Sequence, residues 1–221
     1  MIANHEIDYK IYGEELQVVE IELDPNETAI AESGAFMMMD NGIEMQTIFG
    51  DGASPYTGKI IKFDLSQLGG KIIAQKDAFL CSAKGVSIGI EFQRKLGTGI
   101  FGGEGFIMQK LEGDGLAFAH AGGFVVERQL QPGEVLKVDT GCVVAYTPNI
   151  DFDIEMVRGI KNFMFGGEGL FFAKLTGPGH VWLQSLPISR LAGRIMQYGT
   201  YKRKEEGGIL GGLGNLLDGR E

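Results

Sequence analysis

Positive charge is in deficit in this chain: 20 Lys and Arg stand against 29 Asp and Glu, for a formal charge of −9 and an isoelectric point near 4.9. No dense Lys/Arg block relieves that balance. This argues against a nucleic-acid partner, whose phosphates are held mainly by cations that release counterions. Proline is scarce, six residues in 221, so the chain is neither collagen-like nor a Pro/Gly-rich disordered polymer. Long apolar runs are lacking as well: nowhere do the roughly 18 apolar residues of a membrane helix stand together. The amino-terminal stretch MIANHEIDYKIYGEE carries charge throughout, with no apolar signal core. The expectation is a soluble, cytoplasmic protein.

Metal and thiol chemistry are equally thin. His5, His120 and His180 stand alone, with none of the spacings that bring ligands together. Cys81 and Cys142 sit in the apolar runs AFLCSA and GCVVAY, where a free thiol behaves as a small buried hydrophobe rather than half of a disulfide. No cofactor is expected.

What the chain does have is glycine, 35 residues, together with short apolar segments that alternate with polar residues. LQVVEIEL from Leu16, IEMQTIF from Ile43, KIIKFDL from Lys59, VSIGIEFQ from Val86 and IDFDIEMV from Ile150 all have period two, which predicts strands. Turn formers separate them, among them Asp24-Pro25-Asn26, Gly69-Gly70, Gln131-Pro132-Gly133 and Gly177-Pro178-Gly179. The fold class is all-β, with one short carboxyl-terminal helix expected after Pro187.

Self-comparison organises those strands. Phe101-Gly102-Gly103-Glu104-Gly105 recurs 64 residues later as Phe165-Gly166-Gly167-Glu168-Gly169, and at the same shift Lys110-Leu111 meets Lys174-Leu175 and Gly113 meets Gly177. A shift of 107 lays LDPNETAIAESGAF from Leu23 over LQPGEVLKVDTGCV from Leu130. The reading is three degenerate copies, at about 1–57, 58–121 and 122–190, packed around a pseudo-threefold axis within one domain, 1–198, and followed by a Gly/Leu-rich tail, 199–221. The first copy lacks a clear GGEG.

Two motifs are present as letters but not in the required setting. Gly97-Thr98-Gly99-Ile100-Phe101-Gly102 spells the dinucleotide fingerprint, yet a strand and turn are expected after it, not the helix whose N-terminus would hold the pyrophosphate. Gly85-Val86-Ser87-Ile88-Gly89 spells a nucleophile elbow, but Ser87 falls inside an alternating strand. Asp151, Asp153 and Glu155 share one strand face and are read as a solvated surface rather than a cation site. The candidate positions are the two glycine-flanked glutamates: Gly102, Gly103, Glu104 and Gly105, and Gly166, Gly167, Glu168 and Gly169. Flanking glycines permit positive φ and close backbone approach, so each motif is either a repeated corner capped by its carboxylate or a loop presenting it to a groove or interface.

With GGEGLFFAKLTGPGHVWLQS, LQPGEVLKVDTGCVVAY and ELDPNETAIAESGAF, residues 1 to 190 resemble the altered-inheritance-of-mitochondria protein 24 family. The resemblance implies a β body related to the tryptophan RNA-binding attenuation protein, a short double-stranded β-helix repeated within one chain. It implies no enzymatic activity and no catalytic residues, and the role of mitochondrial members in inner-membrane organisation implies assembly or scaffolding. The chain departs from that branch in having no transit-peptide composition, and from longer prokaryotic relatives in the first copy, where GDGASPYTGKIIKF replaces an expected longer Gly-rich loop with its own GGE-like turn. The leading expectation is a non-enzymatic binding or scaffold protein that self-associates or meets a protein partner through strand edges or Gly-rich loops, with peripheral membrane contact through the tail. The alternatives are a small-ligand-binding protein with a groove between copies, and a hydrolase built on Ser87 or on Glu104 with Glu168.

Overall fold

The computed structural model describes residues 6–31, 35–46, 58–94, 105–156, 171–193 and 195. Two compact units are present, Met1–Leu186 and Pro187–Glu221. Among the described residues the first is built from strands, apart from two single-turn 3-10 corners at Lys76–Ala78 and Thr140–Cys142. In the second, residues 188–193 are helical, and the Pro187 carbonyl accepts from Arg190 N at 3.1 Å and Leu191 N at 3.2 Å. Pro187 therefore sits just before the helix, where its missing N–H costs nothing. Residues 199–221 lie outside the described residues.

Three strands precede residue 58: β1 (Asp8–Tyr12), β2 (Val18–Glu22) and β3 (Ala29–Ala31). Six follow in residues 58–121: β4 (Lys59–Asp64), β5 (Lys71–Gln75), β6 (Phe79–Ala83), β7 (Ser87–Arg94), β8 (Phe106–Glu112) and β9 (Leu116–Ala121). Residues 122–186 carry six more: β10 (Val125–Leu130), β11 (Val135–Asp139), β12 (Val143–Tyr146), β13 (Asp151–Met156), β14 (Phe171–Thr176) and β15 (Gly179–Gln184). They form sheets ordered β1-β2, β10-β15-β12-β5-β8-β7, β11-β14-β13 and β3-β6-β9-β4.

The shift of 64 holds in the hydrogen-bonded registers. Lys71 lies opposite Glu112 as Val135 lies opposite Thr176, and Ser87 opposite Glu112 as Asp151 opposite Thr176. Even an irregularity is reproduced: the β6–β9 ladder breaks between Phe79 and Cys81, and the β12–β15 ladder between Val143 and Ala145. The shift of 107 holds at one turn of the first copy. Glu27 N donates to Asp24 O and its carboxylate takes the N–H of Asp24; Glu134 does the same with Gln131. Asn26, Gly69 and Gly133 occupy matching turn positions with φ of 73°, 76° and 77°, a left-handed conformation that favours glycine and tolerates asparagine.

One expected strand is absent. Residues 43–46, the start of IEMQTIF, are not a strand, and Ile43 and Met45 are exposed; residues 47–49 lie outside the described residues. Alternation is a statement about faces, and without a neighbouring ladder to take its N–H and C=O groups the segment gains nothing by extending.

Apolar side chains collect in three clusters. One contains Phe63, Leu111, Val144 and Trp182, a second Phe106, Met108, Val143 and Leu175, and a third Ile7, Leu80, Cys81 and Phe118. β6 and β12 are buried along their whole length because each divides two clusters: Phe79 faces the first while Leu80 and Cys81 face the third, and Val143 faces the second while Val144 and Ala145 face the first. The bulge in each ladder puts two successive side chains on one side.

Residues 58–121 and 122–186 each close on themselves through a glycine. A Cβ on Gly58 would meet Ala121 O at 1.9 Å, and one on Gly122 would meet Leu186 O at 2.0 Å. Gly133, by contrast, faces open space and needs only its φ of 77°. Gly122→Ala is therefore expected to destabilise the protein by about 1–3 kcal/mol or more through forced backbone displacement, whereas Gly133→Asn, which installs the residue the first copy uses at Asn26, leaves stability nearly unchanged. Urea unfolding midpoints of the two variants check this, and equal losses would refute it.

Candidate functional site

Of the eight glycine and glutamate positions singled out in the sequence, Gly105 alone falls within the described residues. It is buried, with φ of 81°, and leads directly into β8. The other seven, Gly102, Gly103, Glu104, Gly166, Gly167, Glu168 and Gly169, lie outside them. The hairpin bases that carry these segments are nevertheless defined. Arg94 at the end of β7 lies opposite Phe106 at the start of β8, and Met156 at the end of β13 lies opposite Phe171 at the start of β14.

The fold brings β7 of the first hairpin against β13 of the second. Arg94 Nη1 donates to the Ile154 carbonyl at 2.7 Å and reaches Asp153 Oδ1 at 3.3 Å. Beneath it Phe92 meets Phe152 edge-on, with centroids 5.0 Å apart, and Phe106 and Tyr146 stack on Phe152 at 5.9 and 5.2 Å. These aromatic contacts fix one hairpin against the other, and the guanidinium satisfies a carbonyl that faces away from its own ladder. Arg94 was not among the candidate residues, yet a signal for it exists: the shift of 64 places Arg158 at the matching position of the second hairpin.

On the acidic face of β13, Asp153 and Glu155 are paired. Glu155 Oε2 accepts from Lys137 Nζ at 2.5 Å and its other oxygen lies 3.8 Å from Lys174 Nζ, while Asp153 faces Arg94. The hydrogen bond from Lys137 holds the Glu155 carboxyl below the usual carboxylate range. In residues 58–121 the corresponding ladder has Lys71 Nζ 3.0 Å from Glu91 and 3.7 Å from Glu112, which also meets Lys110 at 3.2 Å. Among the described residues no group of three or more His, Cys, Asp and Glu is placed to hold a metal ion.

Ser87 Oγ, exposed at the start of β7, donates to the Glu112 carbonyl at 3.3 Å. His180 Nδ1 lies 3.5 Å from Glu127 Oε1, and its ring stacks on Trp182 at 6.0 Å. His120 is buried on β9 opposite Ile60. The serine is thus engaged with backbone, and each described histidine is engaged elsewhere. Residues 97–102 lie outside the described residues, and the next described element after them is a strand, β8. Neither Cys81 nor Cys142 is in a disulfide, and burial pushes the Cys81 thiol up to about 12, well away from a reactive thiolate. Among the described residues no helix is long and apolar enough to cross a membrane.

The family model for mitochondrial biogenesis AIM24 matches residues 9–54 and 52–186. The chain belongs to the mitochondrial biogenesis AIM24 family. It is similar to an uncharacterized protein of Streptococcus pyogenes serotype M6, with 31% identity over 108 residues. That match spans 48% of this chain and 42% of the relative. Among solved structures, a Streptococcus pyogenes protein determined by X-ray crystallography superposes with a TM-score of 0.71 at 19% identity, over 87% of this chain and 100% of the other. A likeness at that identity shows the shared fold of this AIM24 member and carries no chemistry.

His120 is the buried titratable group with a consequence for the whole body. Burial lowers its pKa against the opposing effect of a hydrogen bond with the Asp77 backbone. The folded state therefore favours the neutral ring and the unfolded chain binds the proton first, so stability is full above the unfolded value of about 6.5 and falls as pH drops below it. The urea midpoint is expected to decline between pH 7.5 and pH 5.5, at no more than about 1.4 kcal/mol per pH unit. His120→Gln should flatten that decline. An unchanged slope in the variant would assign the titration to another group.

Proposed function

We propose that this AIM24 member is a non-enzymatic, cytoplasmic assembly protein, a β body of the attenuation-protein kind whose copies associate through open strand edges. One observation carries the reading: sheet margins are lined by exposed apolar side chains. Ile88 and Ile90 are exposed on β7, Val126 on β10 beside the exposed Phe124, and Val135 on β11, and all three strands end their sheets. An open edge offers unpaired N–H and C=O groups to another chain. Natural edges that must stay single are usually protected by charge or proline, and apolar margins favour addition.

The Gly/Leu-rich segment 199–221 supplies peripheral membrane contact in this reading. Analytical sedimentation of the full chain and of a variant ending at residue 198, with and without liposomes, tests both parts. The expected outcome is an oligomer in both proteins and liposome binding in the full chain alone. A strict monomer that ignores liposomes would rule the reading out.

A further inference from the structure

The sheet β11-β14-β13 stops where the two matching sheets continue, and the chain carries a segment that fits the gap. β5 has β8 on one side and β12 on the other, and β3 has β6. In each case the strand before a corner in one copy accepts the strand after the corner of the next. Ala74 lies opposite Ala145 and Ile73 opposite Tyr146; correspondingly Ala31 lies opposite Cys81 and Ile30 opposite Ser82. β11 is the matching acceptor in the last copy. It has β14 on one side and, among the described residues, no strand on the other. The donor that the pattern calls for is the segment following Ala35 in the first copy, Phe36-Met37-Met38-Met39, which the shift of 107 lays on β12.

The exposures of these three segments are opposite. No residue of β6 or β12 is more than 9% exposed, whereas Phe36, Met37, Met38 and Met39 are between 48% and 70% exposed. Four successive large apolar side chains stand in water where their two counterparts divide hydrophobic cores. Val144 and Ala145 face the cluster of the preceding copy, so Met37 and Met38 at the matching positions would cover the cluster beside β11, against which Leu136 and Val138 are only partly buried. Methionine suits such a contact because its unbranched thioether fits irregular gaps.

We propose that Phe36–Met39 of one copy adds as an antiparallel strand to the open edge of β11 in a second copy of this chain, with Met38 opposite Val138 and Met39 opposite Lys137. This rests on the self-association proposed above and names its surface. A second copy is the occupant because the folded chain leaves donor and acceptor both exposed although they share one molecule. A twofold pair presents two donors and two acceptors, so one reciprocal exchange satisfies all four.

Met38→Lys tests the surface without touching the folded core, since Met38 is exposed. By sedimentation equilibrium the unchanged chain is expected to dimerise and Met38→Lys to associate roughly tenfold more weakly or worse. A second measurement reads the register. On a background of Cys81→Ala and Cys142→Ala, positions where other copies carry Ala145 and Ala78, Met38→Cys and Val138→Cys proteins are mixed and oxidised, and the dimer band is analysed by mass spectrometry. A 38–138 disulfide between two chains is expected. When both cysteines are placed in one chain, a 38–138 disulfide closing within a monomer would overturn the proposal in favour of closure inside one molecule. A dimer that is indifferent to Met38→Lys and gives no 38–138 bond would overturn this surface and leave self-association standing. A strict monomer would remove both.

Discussion

The body Met1–Leu186 depends on one constraint: a strand buried on both faces must have its backbone paired on both edges. β6 and β12 meet it, lying between β3 and β9 and between β15 and β5. Buried N–H and C=O groups without partners would cost more than the apolar contacts return, so each of these strands requires one neighbour from its own copy and one from the copy before. That requirement links copies that could not fold separately. The 3-10 corner before each strand redirects the chain from one sheet to the next, and at Thr140–Cys142 the Asp139 carboxylate secures it by accepting from Gly141 N at 2.9 Å.

Glycine follows from the same geometry. When a strand at the start of a copy runs beside the strand at its end, their connecting segments are forced within contact of each other. Gly58 against Ala121 and Gly122 against Leu186 leave no room for a Cβ. Matching corners at Gly113 and Gly177 donate to Gly70 O and Glu134 O at 3.0 and 2.9 Å. Among the described residues, several glycines of 58–186 are thus explained by close approach at repeated corners.

The all-β class was legible because alternation and turn residues are local, and the shift of 64 because Phe-Gly-Gly-Glu-Gly and Lys-Leu recur as identical letters. The ladders keep that shift through much of their length, although the bulge between Ile90 and Phe92 in the β7–β8 ladder has no counterpart in β13–β14. Pairings between distant segments were not legible. β1 pairs β2 from ahead, whereas β9 and β15 pair β4 and β10 from behind, an order that no periodicity encodes. Ile43-Glu44-Met45 alternates as well as any strand in the chain and forms none among the described residues, since a ladder needs a partner that its own pattern does not specify. Of the candidate glutamate positions, what became legible is where their hairpins begin. The residue joining those bases, Arg94, was overlooked because a single arginine at a strand end looks like ordinary surface.

Charge and apolar exposure divide between what the copies share and where they differ. Glu91 and Glu155 correspond, as do Lys110 and Lys174, and in each copy they lie in a cross-strand ladder on an outer face. Exposed pairs of this sort contribute little individually. The charged positions recur although the pairs do not, Glu91 meeting Lys71 where Glu155 meets Lys137 and Lys174, so what the two hairpins share is a charged outer face. The apolar run Phe36–Met39 differs: its chemistry matches β6 and β12 but its burial does not. A net charge of −9 repels like copies at long range, and at physiological ionic strength that repulsion is screened beyond about 8 Å. At strand-pairing distance the balance then falls to backbone hydrogen bonds and apolar burial, terms that favour contact at Phe36–Met39.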